Sequence, residues 1–357
     1  MKQQIVFILK LRGISALLVM LYHHCHFFWV NQDFCGRLAH HPPVTAMPWI
    51  AGFLESLPIN LGNLGVAIFF LISGFLMPIA AQNKTRLEFL PRRIWRIWPA
   101  YVIALLLTMA LVYVSARYNQ QLLSFPWNID HIAASLFLVR DIGGYPFIDG
   151  IVWTLEIEMK FYFLCFIART WLVEKPIKFV MLITVLAILS LVLMECKSII
   201  EISLIKRLIE IFFKTMKYIC FIGLGCLLSY VYQKKITTRK AFIYSLILTV
   251  SYFGYFVCAG NYAAQRKEIM SYSLAYILFT TCYALRENFL KQGIMAYMGN
   301  ISYSLYLVHG VPGFVMIYWL MSRNIKLLIA IATTIGCLFL VTIVFYRFIE
   351  SNFTPKK

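Results

Sequence analysis

Ten segments of this 357-residue chain are mostly apolar and about as long as a helix that crosses the roughly 30 Å hydrocarbon core of a bilayer. They lie at 13–30, 61–81, 98–116, 151–171, 179–195, 217–232, 241–258, 269–285, 301–320 and 327–346. In lipid, every backbone N–H and C=O must be satisfied internally, so runs of this kind specify helices. The fold class is therefore all-α: a polytopic membrane helix bundle of about ten transmembrane helices. It is read as a single domain over 1–357, because the longest polar stretches, 31–60 and 117–150, are loops too short for an appended soluble domain. Composition excludes a water-soluble globular protein: 61% of residues are hydrophobic and 13% charged, against roughly 45–50% and about 25% in soluble domains.

The formal charge of +18 would suggest nucleic acid in a soluble protein. In a membrane chain it records orientation and contact with anionic lipid. With both termini placed in the cytoplasm, twenty of the 33 Lys and Arg residues fall on that side, among them Lys2, Arg92, Lys234, Lys291, Lys356 and Lys357. The bias supports that orientation and a membrane-lipid partner, and nucleic acid is not needed. The 196–216 stretch dissents, being basic yet outside. Its Ile200, Leu204, Leu208 and Phe212 recur every four residues, which predicts an amphipathic helix on the outer surface. The N-terminal run resembles a signal peptide, but Arg12, His23, His24 and His26 lie within it without a small-residue cleavage site, so it reads as a retained first span. The nine cysteines are odd in number, lack C-x-x-C spacing and read as small buried hydrophobes.

With few charges in the apolar bulk, those that remain point to chemistry. Arg12 and His23 are eleven residues apart, so on a helix they differ by about 20° in azimuth and about 16 Å in height. One face presents a guanidinium at the cytoplasmic surface and an imidazole near the midplane, and His26, three residues beyond His23, falls on nearly the same face. Residues 153–162 read WTLEIEMKFY, where Glu156 and Lys160 have the spacing of a helical ion pair. Glu158 is left on another face, a candidate for acid/base work or for orienting a histidine. His309 lies near the middle of the ninth span. Ser73 and Gly74 allow close helix approach in the second. Residues 91–99, PRRIWRIWP, place Arg92, Arg93 and Arg96 at the cytoplasmic entry of the third span, either as lipid anchors or, with Arg12, as a mouth suited to phosphate.

These residues fall into patterns that resemble the membrane acyltransferase-3 family, bacterial integral-membrane O-acyltransferases of surface glycans. The resemblance covers essentially the whole chain. Arg12 and His23 fit R-x10-H, residues 65–75 fit G-V-x-x-F-F-x-x-S-G-F, and Arg93 with Arg96 fits R-x-x-R, followed by Pro99 and Tyr101. Residues 153–162 fit W-[ST]-L-x-x-E-x-x-F-Y, which marks Glu158, and residues 302–309 fit S-Y-S-x-Y-L-x-H, which ends on His309. Two departures touch the second and tenth helices: Ala67 stands where relatives often carry an acidic residue, and no proline closely follows Glu350.

The resemblance implies transfer of an acyl group, commonly acetyl, from cytoplasmic acyl-CoA to a hydroxyl of a cell-surface or lipid-linked glycan, in the bacterial inner membrane. It implies acetyl-CoA or another acyl-CoA as donor, no metal, and His23, Glu158 and His309 as catalytic residues. Arg12, Arg92, Arg93 and Arg96 would hold the CoA phosphates, while Ser73, Trp153, Tyr162 and Tyr303 shape the site. A homo-oligomer, the acyl chain and the acceptor sugar stay open. A glycan or small-anion transporter or flippase would also show ten spans with ionisable groups, but would work without acyl-CoA.

Overall fold

The computed structural model describes residues 6–42, 44, 47–119, 126–260, 262–289 and 293–353, which form helices and no strands. Lys2, Lys291, Lys356 and Lys357, counted in the charge bias, lie outside them. Helix α1 (Val6–Tyr22) runs through a π-helical turn at His23–Phe27 into Phe28–Val30. Short helices α2 (Gln32–Ala39) and α3 (Trp49–Ser56) come after it. Next are α4 (Leu61–Ala81), whose Asn60 cap accepts the Asn63 N–H at 2.9 Å, and α5 (Arg86–Tyr118), opened by a reciprocal Thr85–Glu88 capping box. The chain continues through α6 (Ile129–Leu136), α7 (Trp153–Ile167), α8 (Pro176–Glu195), α9 (Ser203–Tyr232), α10 (Thr238–Ala259) and α11 (Tyr262–Ala284). It ends with α12 (Ile294–Val308), α13 (Val311–Ser322) and α14 (Leu327–Phe345), the last leading into a second π-helical turn at Tyr346–Glu350.

All ten apolar segments are helical, with three differences from the sequence reading. Among the described residues, seven helices are long and apolar enough to cross a membrane. The segment at 151–171 gives only the 15-residue α7, which carries Glu156, Glu158 and Lys160. The expected surface helix over 196–216 does not form separately; apart from a 3-10 turn at Cys196–Ile199, it is the start of the continuous 30-residue α9. No Gly or Pro interrupts 203–222, so nothing ends the helix between its amphipathic and apolar parts. The ninth segment is not one helix either, since α12 and α13 meet at a bend of 68°. His309 and Gly310 occupy that bend and Pro312 lies in the first turn of α13, so the missing Pro N–H falls where the bonding is already interrupted. The protein is an integral membrane protein.

Glycine sets two helix crossings. α1 packs on α12 with Gly13 facing the Met295 carbonyl, where a Cβ would come within 2.4 Å, and Gly299 facing the Leu9 carbonyl at 2.0 Å. α4 packs on α9 in the same way: a Cβ on Gly74 would sit 1.9 Å from the Ile222 oxygen, and one on Gly225 2.2 Å from the Leu71 oxygen. Without a hydrophobic drive between helices in lipid, this backbone proximity is what dispersion forces act through.

The expected Glu156–Lys160 pair does not form. Glu156 instead receives Arg140 Nε at 3.0 Å and Nη2 at 2.9 Å, a two-point contact that buries both side chains, and Lys160 pairs with Asp141. Arg140 also donates to the Tyr145 carbonyl at 2.6 Å and lies over the Phe147 ring at 3.8 Å, pinning the loop that leads to α7. Against α5, the α6 segment is docked by Trp98 on the Leu136 carbonyl and Tyr101 on the Ser135 carbonyl, at 2.8 and 2.7 Å.

Both kinds of contact can be tested through stability. Gly74→Val should force α4 off α9 and cost about 1–3 kcal/mol, seen as a lower melting temperature in detergent; an unchanged transition would mean the crossing is looser than described. Arg140→Ala should cost about 3–5 kcal/mol by stranding a buried carboxylate, whereas Arg140→Met with Glu156→Leu should recover most of it. Equal loss in the single and double variants would contradict this.

Candidate active site

Two histidines from distant parts of the chain meet inside the bundle. His23 opens the π-helical turn after α1, and its Nδ1 lies 2.8 Å from the Val19 carbonyl. His309 closes α12, with Nδ1 2.8 Å from the Tyr306 carbonyl and 3.1 Å from that of Leu305. The bend after His309 frees the Tyr306 carbonyl from the helical ladder, and the imidazole takes it up. His309 Nε2 lies 3.3 Å from His23 Nδ1, with the rings 5.0 Å apart and steeply inclined to each other.

These partners assign the tautomers. Carbonyl oxygens only accept, so in the neutral rings Nδ1 carries the proton on both histidines. His309 Nε2 is then an acceptor and shares the His23 Nδ1–H with Val19. His23 Nε2 is left with a free lone pair and no partner among the described residues, and the ring lines a cavity of about 190 Å3. Trp153, expected to shape the site, is in the same wall.

A second cavity, of about 100 Å3, lies on the other side of Tyr306 and Val66, which line both. Arg12, Arg93 and Arg96 open into it, together with Ser73, Glu158, Tyr162 and Tyr303. The 20° azimuth read from the sequence thus places Arg12 and His23 on one face of α1, each in its own cavity. Among the described residues none of the three arginines makes an ion pair or a hydrogen bond, although Arg93 lies near the Phe89 ring at 5.9 Å. Two carboxylates offset their charge at longer range. Glu158 Oε1 accepts from Ser73 at 2.9 Å and Tyr162 at 2.5 Å, and Glu350 accepts from the Ser304 N–H at 3.0 Å and its hydroxyl at 2.5 Å. Tyr303 is fixed by a 2.8 Å bond to the Ile97 carbonyl.

Three placements differ from the sequence reading. Glu158 does not reach the histidines; its partners hold it in the arginine-lined cavity. Arg92 is exposed and off the cavity wall, because one residue is a 100° step on α5 and only Arg93 and Arg96 share the inward face. His26, expected nearly on the His23 face, turns to Glu55 at 2.6 Å, which Lys267 also meets at 2.7 Å.

Sequence reasoning missed Tyr306, Glu350 and Asp149. Tyr306 bonds Thr154 at 2.5 Å and the Ile151 carbonyl at 2.8 Å, and so forms the partition between the cavities. Its signal was present, three residues before His309 on the same helix. Glu350 belongs to a π-helical turn, which α-periodicity does not anticipate.

The family model for the acyltransferase domain of the acyltransferase-3 family matches residues 7–347. The chain belongs to that family. The chain is 25% identical over 325 residues to the O-acetyltransferase OatA of Staphylococcus aureus (strain NCTC 8325 / PS 47), covering 83% of this chain and 53% of that protein. It is 33% identical over 122 residues to the exopolysaccharide production protein ExoZ of Rhizobium meliloti (strain 1021), which covers 31% and 37%. The chain thus spans about half the length of the OatA proteins it matches. No solved structure matches it.

Proposed function

We propose that the protein transfers an acyl group, acetyl in the simplest case, from cytoplasmic acyl-CoA to a hydroxyl of a cell-surface or lipid-linked glycan at the bacterial cytoplasmic membrane. The observation that carries this reading is the pairing of unlike cavities across Tyr306. Three guanidinium groups with no ion-pair partner among the described residues line one, and an imidazole whose Nε2 bonds no described residue lines the other.

Arg12, Arg93 and Arg96 suit the phosphates of CoA, since guanidinium binds phosphate in a two-point, charge-assisted way. The pantetheine arm runs past Ser73 and Glu158 toward Tyr306 and brings the thioester to the partition. From the opposite cavity the acceptor hydroxyl meets His23 Nε2, which takes its proton as the oxygen attacks the thioester carbonyl. The new C–O bond forms, the C–S bond breaks, and the proton passes to the departing thiolate to give free CoA. His309 Nε2 and the Val19 carbonyl both accept from His23 Nδ1–H, a bond that strengthens as the ring becomes cationic. Glu158 acts on the donor side, with Ser73 and Tyr162 fixing its carboxylate. The same lone pair would carry the acyl group in a covalent variant of the route.

Membranes incubated with labelled acetyl-CoA should release CoA and label a glycan only when donor and acceptor are both present. A transporter or flippase would not need the donor. His23→Ala should lower transfer at least about 100-fold while the protein still inserts; retained transfer would remove His23 from the chemistry. Arg93→Ala and Arg96→Ala should each raise the donor KM about tenfold or more and leave the acceptor KM near wild type. The reverse pattern would move the donor to the other cavity.

A further inference from the structure

The His23 cavity carries a group that the transfer chemistry leaves unused. Asp149 is 4% exposed, and among the described residues it forms no ion pair. Its Oδ1 accepts the Ile151 N–H at 3.3 Å and packs so closely on the α13 start that a Cβ on Gly310 would lie 2.6 Å away. The carboxyl opens into the same cavity as His23. Asn63 lines the same cavity, and its side-chain amide bonds no described residue.

Phe27, Phe34, Trp153 and Phe314 contribute aromatic rings to that wall, beside the aliphatic Val19, Val66 and Ile151. Flat apolar rings beside a carboxyl and an amide match a pyranose, which has C–H faces and equatorial hydroxyls. No Lys or Arg lines this cavity, whereas three arginines line the other. An anionic sugar would therefore lose hydration beside a buried carboxyl with no cation to offset it.

We propose that the His23 cavity selects an uncharged sugar as acceptor, with Asp149 and Asn63 bonding the hydroxyls beside the one that is acylated. This rests on the acyl-transfer reading and specifies its acceptor. Asp149 here positions the acceptor; the reacting proton still goes to His23. The alternative role, accepting the backbone N–H groups of Ile151 and of Val311 at the start of α13, is shared by an asparagine, whose side-chain oxygen also accepts.

The test uses the full chain in nanodiscs with labelled acetyl-CoA and matched pairs of methyl hexopyranosides and methyl hexuronides. Neutral hexosides should be acetylated at least about tenfold faster than their hexuronides. Asp149→Asn and Asn63→Ala should each raise the hexoside KM about tenfold, with acetyl-CoA binding unchanged, a split that a purely structural role would not give. Asp149→Lys should shift preference toward the hexuronide. Equal use of both sugars, preference for the hexuronide, no acetylation of any neutral hexoside, or an unmoved KM in Asp149→Asn would overturn the proposal while acetyl-CoA still binds. Failure to bind acetyl-CoA at all would instead defeat the transferase reading beneath it.

Discussion

Everything in the site depends on how closely α1 and α12 approach. Gly13 and Gly299 let the two backbones touch, and at the far end of that contact His23 and His309 come within hydrogen-bond range. With larger residues at the crossing, the helices would stand apart and the imidazoles would lose each other. The bend after His309 supplies the second condition. By releasing the Tyr306 carbonyl, it gives the His309 ring a fixed acceptor and so decides which of its nitrogens faces His23. Backbone geometry, rather than a buried carboxylate, orients this histidine pair.

The charges divide along the same axis. All three arginines of the site face one cavity, and the other has a carboxyl and several aromatic side chains. Tyr306, held by Thr154 and the Ile151 carbonyl, stands between them. A reaction joining a polyanionic donor to a polyhydroxylated acceptor needs such a division, because each partner must lose water in surroundings that suit its own charge.

Much of this was legible in the sequence, for reasons particular to each residue. Arg12 and His23 lie on one uninterrupted helix, so simple periodicity places them on a common face. The five motifs and the apolar runs likewise depend on local order along the chain. Features that depend on distant partners or on departures from α-geometry are not legible in this way. Lys160 has a good local partner in Glu156, yet Arg140 offers that carboxylate two parallel bonds from a separate loop. Glu158 reads as a partner for the histidines only until its donors are known, Ser73 from α4 and Tyr162 one turn along α7. Each of the two π-helical turns shifts the helical register by one residue, which is why His26 turns away from His23 and why periodicity does not mark Glu350.

The unbroken course of α9 has a further effect. Thirty residues make a rod of about 45 Å, some 15 Å more than a bilayer's hydrocarbon thickness. That surplus must stand among the headgroups or be taken up by tilt. Since Gly225 locks the rod to α4, any tilt is passed to the helix that supplies Ser73 to one cavity and Asn63 to the other. Both chambers thereby share, through α4, a mechanical link to the overhang that α9 provides at the membrane surface.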